Sequence, residues 1–233
     1  MVFDESFKTI IIALLGGLIP ALLWLWFWLK EDKERPEPRG LIITTFLIGM
    51  ASVMLVLPLE EMARKFISDG PVLTIVWAAI EEVIKLFVVA IIAFRTAYVD
   101  EPVDFAIYLI SGALGFAALE NALFLIHPLQ LNETTVSLLT GNLRFLGATL
   151  LHAVASGFIG IFMGLAFFKG KSTKSIYLVI GVLTAIVLHS LFNFFIIGNN
   201  GENFFAVFGF LWVISIISVL LFEKLRRMGD QSL

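Results

Sequence analysis

Apolar residues in this chain come in runs too long for the helices of a soluble fold. Seven stretches, about 9–29, 41–59, 72–94, 105–126, 144–168, 175–197 and 204–222, are mostly hydrophobic. Each is close to the roughly 20 residues that a helix needs to cross a bilayer. Short polar or Gly/Pro-containing connectors separate them, and none is long enough to hold a soluble domain. The pattern predicts an all-α, polytopic transmembrane helical bundle of about seven spans, forming one domain over residues 1–233. The segment from Leu59 to Gly70 reads as a loop with a short amphipathic piece. The first run follows an acidic start, lacks a small-residue cleavage site and is too long for a signal-peptide core, so it reads as a retained span.

Composition agrees. Hydrophobic residues make up 59% of the chain and charged residues 15%, against about a quarter charged in soluble domains; mean hydropathy is +0.97. The net charge of −3 and the lack of any basic stripe argue against nucleic acid as a partner. With no cysteine, disulfides, a thiolate nucleophile and cysteine metal ligands are excluded. Lysine and arginine set the orientation. With the amino terminus outside, the inner connectors hold eleven (Lys30, Lys33, Arg35, Arg39, Arg95, Lys169, Lys171, Lys174, Lys224, Arg226, Arg227) and the outer side four (Lys8, Arg64, Lys65, Arg144). The expected topology is amino terminus out and carboxyl terminus in.

The third run carries three charged residues, Glu81, Glu82 and Lys85, at what should be bilayer depth. Each costs roughly 3 kcal/mol on insertion scales, so they need a compensating role. The fourth run adds Glu120, the fifth His152, and the sixth His189 with Asn193 one turn on. At about 1.5 Å of rise per residue, Glu81 lies roughly 14 Å, both histidines roughly 12 Å and Glu120 roughly 9 Å below the outer ends of their spans. Four spans of alternating direction thus place ionisable groups in one layer of the outer half. On the third span Glu81 and Glu82 are both within a turn of Lys85, so either could form its ion pair.

Such a layer suits hydrolysis. A glutamate can activate a water, and histidine and asparagine can steady an oxyanion. The same glutamates and histidines are zinc ligands, and there is no His-Glu-x-x-His, so a zinc site would be assembled across helices. The candidate catalytic residues are Glu81, Glu82, Lys85, Glu120, His152, His189 and Asn193, and the candidate metal ligands are Glu81, Glu120, His152 and His189. Residue types leave a zinc enzyme and a metal-free glutamate-activated water both open. The competing reading is a proton- or ion-coupled transporter, which needs polar residues leading to both faces; below Lys85 the spans are nearly featureless. His127, beside Pro128, reads as an interfacial residue, and Asn132-Glu133-Thr134 is a formal glycosylation sequon.

Four sequence pieces resemble the PrsW family of bacterial and archaeal intramembrane proteases, related to the CAAX prenyl endopeptidase and ABI group. They are Pro20 and Trp24 followed by Asp32 and Pro36-Glu37-Pro38; Glu81-Glu82-Val83-Ile84-Lys85; Phe116 through Glu120-Asn121; and His152 with His189-x-x-x-Asn193. The resemblance spans about residues 15 to 200. It implies a multi-pass protein of a bacterial or archaeal plasma membrane that cuts membrane-anchored substrates, of the anti-sigma-factor kind, near the outer face. It further implies that Glu81 activates the water, that Glu82 and Lys85 position it or pair, and that His152, His189 and Asn193 bind zinc or the oxyanion. Glu120 departs from the prenyl endopeptidase pattern, which has a histidine there.

Overall fold

A computed structural model describes residues 2–31, 35–130, 134–198 and 204–230. Asp32, Lys33 and most of the sequon fall outside these residues, as does the side chain of Arg144. The described residues form seven helices and no strand: α1 (Val2–Glu31), α2 (Arg39–Phe66), α3 (Pro71–Ile92), α4 (Asp104–Gln130), α5 (Thr134–Leu165), α6 (Lys171–Gly198) and α7 (Phe204–Asp230). Six of them, all but α3, carry segments long and apolar enough to cross a membrane. In α3 it is the three charged residues that interrupt the apolar run. The expected all-α bundle is what forms, and the protein is an integral, multi-pass membrane protein.

The helices alternate in direction. The end holding the start of α1 and the end of α2 is called upper here, and the opposite end lower. α4 and α5 form the centre: 72% and 83% of their spanning segments are buried, against 22–39% in the other four. α4 packs on α1, α2 and α5; α5 also touches α6 and α7; α3 closes one side between α2 and α6. The outer helices expose large apolar side chains, such as Leu23, Trp26, Met54, Phe87 and Leu220. In water that surface would be costly, but in hydrocarbon it is the expected face.

Glycines let the central helices touch backbone to backbone. A Cβ on Gly49 would stand 2.0 Å from the Gly112 carbonyl oxygen, and one on Gly115 would stand 1.9 Å from that of Phe46, at the α2–α4 crossing. On α5, a Cβ on Gly160 would meet Ala106 at 2.4 Å and one on Gly164 the Pro102 carbonyl at 2.2 Å. Without a hydrophobic drive between helices in lipid, such close packing supplies much of the association energy.

One boundary differs from the sequence reading. Residues 59–66 are not a loop but two further turns of α2, which ends only where Ile67 turns extended (φ −124°, ψ 124°). Trp77 on α3 fastens this extension, its indole N–H donating to the Glu60 carbonyl at 3.1 Å while Arg64 lies over the ring at 4.9 Å. A tight turn then reverses the chain. Gly70 adopts φ 152°, which side-chain-bearing residues avoid, and Pro71 starts α3 where its missing N–H costs nothing.

At the lower end, Arg35 pairs with Glu101, and Tyr108 donates to Glu37 of the Pro-Glu-Pro segment. The buried Asp104 carboxylate accepts from the Asp100 and Glu101 amides at 2.9 and 2.6 Å. These contacts tie both lower loops to the foot of α4. Replacing Gly115 by valine should lower stability by about 2 kcal/mol, because the new side chain must displace backbone. Gly40→Ala, with open space around it, should be neutral. Thermal unfolding of the two variants in detergent checks this.

Candidate active site

The charged residues of α3 gather partners from three other helices. Lys85 and Glu82 are both 0% exposed, Glu81 4%, His152 2% and His189 1%. Adjacent residues on a helix point about 100° apart, and this separates the two glutamates. Glu82 faces inward and is fully engaged. Its Oε1 accepts from Lys85 Nζ at 2.5 Å and from His189 Nδ1 at 2.8 Å, and its Oε2 from the Ser156 hydroxyl at 2.6 Å. Of the two ion pairs open to Lys85, Glu82 therefore forms the close one; Glu81 stands 3.7 Å away.

Glu81 turns toward a cavity instead, and its buried Oε2 has no hydrogen-bond partner. His189 Nε2 lies 3.8 Å from that oxygen and His152 Nδ1 3.9 Å. The two imidazoles stand edge to face with centroids 5.0 Å apart. Each imidazole tautomer follows from its neighbours. A carboxylate only accepts, so His189 gives its Nδ1–H to Glu82 and presents Nε2 to the cavity. An ammonium only donates, so His152 Nδ1 accepts from Lys85 Nζ at 3.0 Å. His152 then gives its Nε2–H to Glu120 at 2.8 Å. The Phe116 ring packs against this network, its centre 4.7 Å from Lys85 Nζ and 5.4 Å from the His152 ring centre.

The cavity measures about 340 Å³ and is partly open. Glu81, Glu120, His152, His189 and Asn193 line it, with the upper turns of α2 forming one wall. All seven residues singled out in the sequence thus converge on this place, five on the cavity and two, Glu82 and Lys85, directly beneath. His127 is exposed and outside it.

Sequence reasoning missed three contributors. Glu60 lines the cavity and comes within reach of the Glu81 carboxyl, because α2 runs on past its expected end. The spacing Val53, Val56, Glu60 continues the buried stripe of α2 and could have shown this. Ser156 and Thr149, the latter accepting from Asn121 at 3.0 Å, lie three to four residues from His152 and so on its face of α5.

A metal ion fits here. Glu81, His152 and His189 each offer a ligand atom, all within 4.8 Å of one another. Donors around tetrahedral zinc sit roughly 3.4 Å apart, so the observed 3.8 and 3.9 Å need only a small contraction, and the unpartnered Glu81 oxygen is aimed into the group. Glu120 stands outside it, behind His152, in the position of a carboxylate that orients a ligand histidine.

Fold and site together define a multi-pass membrane protein built around a buried ionisable centre that water can reach from one end. The chain belongs to the PrsW family of intramembrane metalloproteases, whose model matches residues 37–221. It is similar to Protease PrsW of Halalkalibacterium halodurans (27% identical, covering 92% of this chain and 98% of that one), of Geobacillus kaustophilus (28%, 82% of each) and of Bacillus subtilis (24%, 84% and 89%). No solved structure matches it significantly. The protein is therefore a protease that acts within the membrane.

Because Glu82 is buried and held by three donors, removing them has unequal effects. Ser156→Ala should cost about 1–3 kcal/mol by leaving one carboxylate oxygen unpaired. Lys85→Ala should cost about 3–5 kcal/mol and lower the folded yield, because it strands a buried charge. Yield and melting temperature in detergent measure both.

Proposed function

We propose that this protease hydrolyses peptide bonds of membrane-anchored substrates, of the anti-sigma-factor kind, within the upper half of the bilayer. The observation that carries the reading is the division of labour on α3: Glu82 is saturated while Glu81, its neighbour, keeps a buried oxygen free beside the cavity. A water at Glu81 would lose a proton to that carboxylate as it attacks the scissile carbonyl. Asn193, one turn beyond His189 on the cavity wall, is placed to donate to the developing oxyanion. Glu81 then passes the proton to the leaving nitrogen, giving a new carboxyl and a new amine without a covalent intermediate. His189 and His152 are held in fixed tautomers by Glu82, Lys85 and Glu120. When bound by Glu81, His152 and His189, a metal ion such as zinc supplies a Lewis acid at the same place.

The arginine and lysine asymmetry supports an orientation with the upper end outside, and similarity to the PrsW proteases supports a bacterial or archaeal plasma membrane. The lower half of the bundle supports the enzyme over a transporter. From Ala106 to Ala118, α4 is buried and apolar apart from the phenol of Tyr108, bonded to Glu37, and the hydroxyl of Ser111, bonded to the Ile107 carbonyl.

Glu81→Gln should abolish cleavage of a single-span reporter in proteoliposomes while leaving folded yield near wild type. His189→Ala should also abolish cleavage, at a lower folded yield because it removes a donor from the buried Glu82. Asn193→Ala should lower kcat about 10²-fold or more with little change in KM, the pattern of a lost oxyanion donor. Retained cleavage in both Glu81→Gln and His189→Ala would place the chemistry elsewhere.

A further inference from the structure

The ammonium of Lys85 touches the metal-ligating group from below, and its position has a consequence for metal binding. Nζ lies 3.0 Å from His152 Nδ1, the nitrogen that faces Glu81. That nitrogen has one lone pair, which either accepts from the ammonium or binds a metal. The other nitrogen, Nε2, is bonded to Glu120 at 2.8 Å. By contrast, His189 Nε2 and Glu81 Oε2 are ready: the Nδ1–H of His189 is given to Glu82, and Oε2 has no partner.

We propose that Lys85 is a resident cation that contests the metal site, holding the His152 nitrogen that a metal ion needs to complete the group with Glu81 and His189. The proposal rests on the site reading above. Metal enters only when the Lys85–His152 hydrogen bond opens and the ammonium withdraws to Glu82. Two consequences follow. The protein folds without metal, because Lys85 already offsets the buried carboxylates. Bound metal is held weakly and exchanges, since every binding event must break a buried charge-assisted hydrogen bond and bring a dication close to an ammonium.

The test is zinc affinity of detergent-purified protein, read by competition with a chromophoric chelator, for wild type, Lys85→Met, Lys85→Arg and His189→Ala. Lys85→Met should bind zinc tighter than wild type by about tenfold or more, the scale on which neighbours of ligands act. Lys85→Arg, which keeps the cation, should bind no tighter than wild type. Zinc bound by Lys85→Met but not by wild type also supports the proposal. Equal or weaker binding by a folded Lys85→Met, with zinc lost in His189→Ala, overturns the role of Lys85 alone. Zinc retained in His189→Ala overturns the site reading itself.

Should Lys85→Met fail to fold, wild type answers the question. Solid-state NMR on protein with ¹⁵N-lysine and ¹³C-histidine should show the Lys85–His152 contact without zinc and lose it at saturation. A contact that persists in zinc-saturated protein, or one never seen in zinc-free protein, overturns the proposal.

Discussion

One buried ion pair holds the rest of the centre in place. Lys85 and Glu82 meet at 2.5 Å, both fully shielded from solvent. Either charge alone would be expelled from hydrocarbon or neutralised. Together they also organise their surroundings. The remaining acceptor capacity of Glu82 fixes His189 and Ser156, and the remaining donors of Lys85 fix His152, which in turn engages Glu120. Four helices are thereby pinned to one point. The polar network is paired at almost every atom, as a low-dielectric interior demands, and the notable exception is the oxygen of Glu81 that faces the cavity.

The scaffold makes that point rigid. α4 crosses α2 and α5 at glycines where backbones are in contact, so a small shift in one helix meets main chain rather than a yielding side chain. Precise placement matters for hydrolysis, since misplacing reacting groups by about 1 Å can cost two orders of magnitude in rate. The outer helices are less buried and present their apolar faces outward. The cavity thus sits in a stiff frame, with the buried Lys85–Glu82 pair beneath it and the upper turns of α2 along one wall.

Much of this was legible in the sequence because depth is a one-dimensional quantity. Residue counts from span ends put Glu81, Glu120, His152 and His189 in one layer, and they do meet. Rotation about each helix axis was not legible. Spacing allowed Lys85 to pair with Glu81 or Glu82, and only the packing of α3 between α2 and α6 decides for Glu82. The partners of each imidazole nitrogen were hidden for the same reason. Glu60 was missed because Glu60, Glu61, Arg64 and Lys65 gave residues 59–66 the look of a loop; a charged stretch at an interface can continue a helix when one face, here Val53, Val56 and Glu60, keeps its period. Ser156 was invisible because a serine in an apolar helix usually bonds its own backbone, as Ser111 and Ser190 do here.

Where a substrate is cut reports the depth of the chemistry most directly. Purified protein would be reconstituted with single-span peptides in liposomes, and the cleaved bonds identified by mass spectrometry and mapped by depth. Cuts confined to the upper half of the substrate span, within roughly 15 Å of one surface at 1.5 Å of rise per residue, are expected from a centre at the level of Glu81, His152 and His189. Cuts only in the soluble flanks, only in the opposite half, or none at all by pure protein would contradict a buried hydrolytic site at that level.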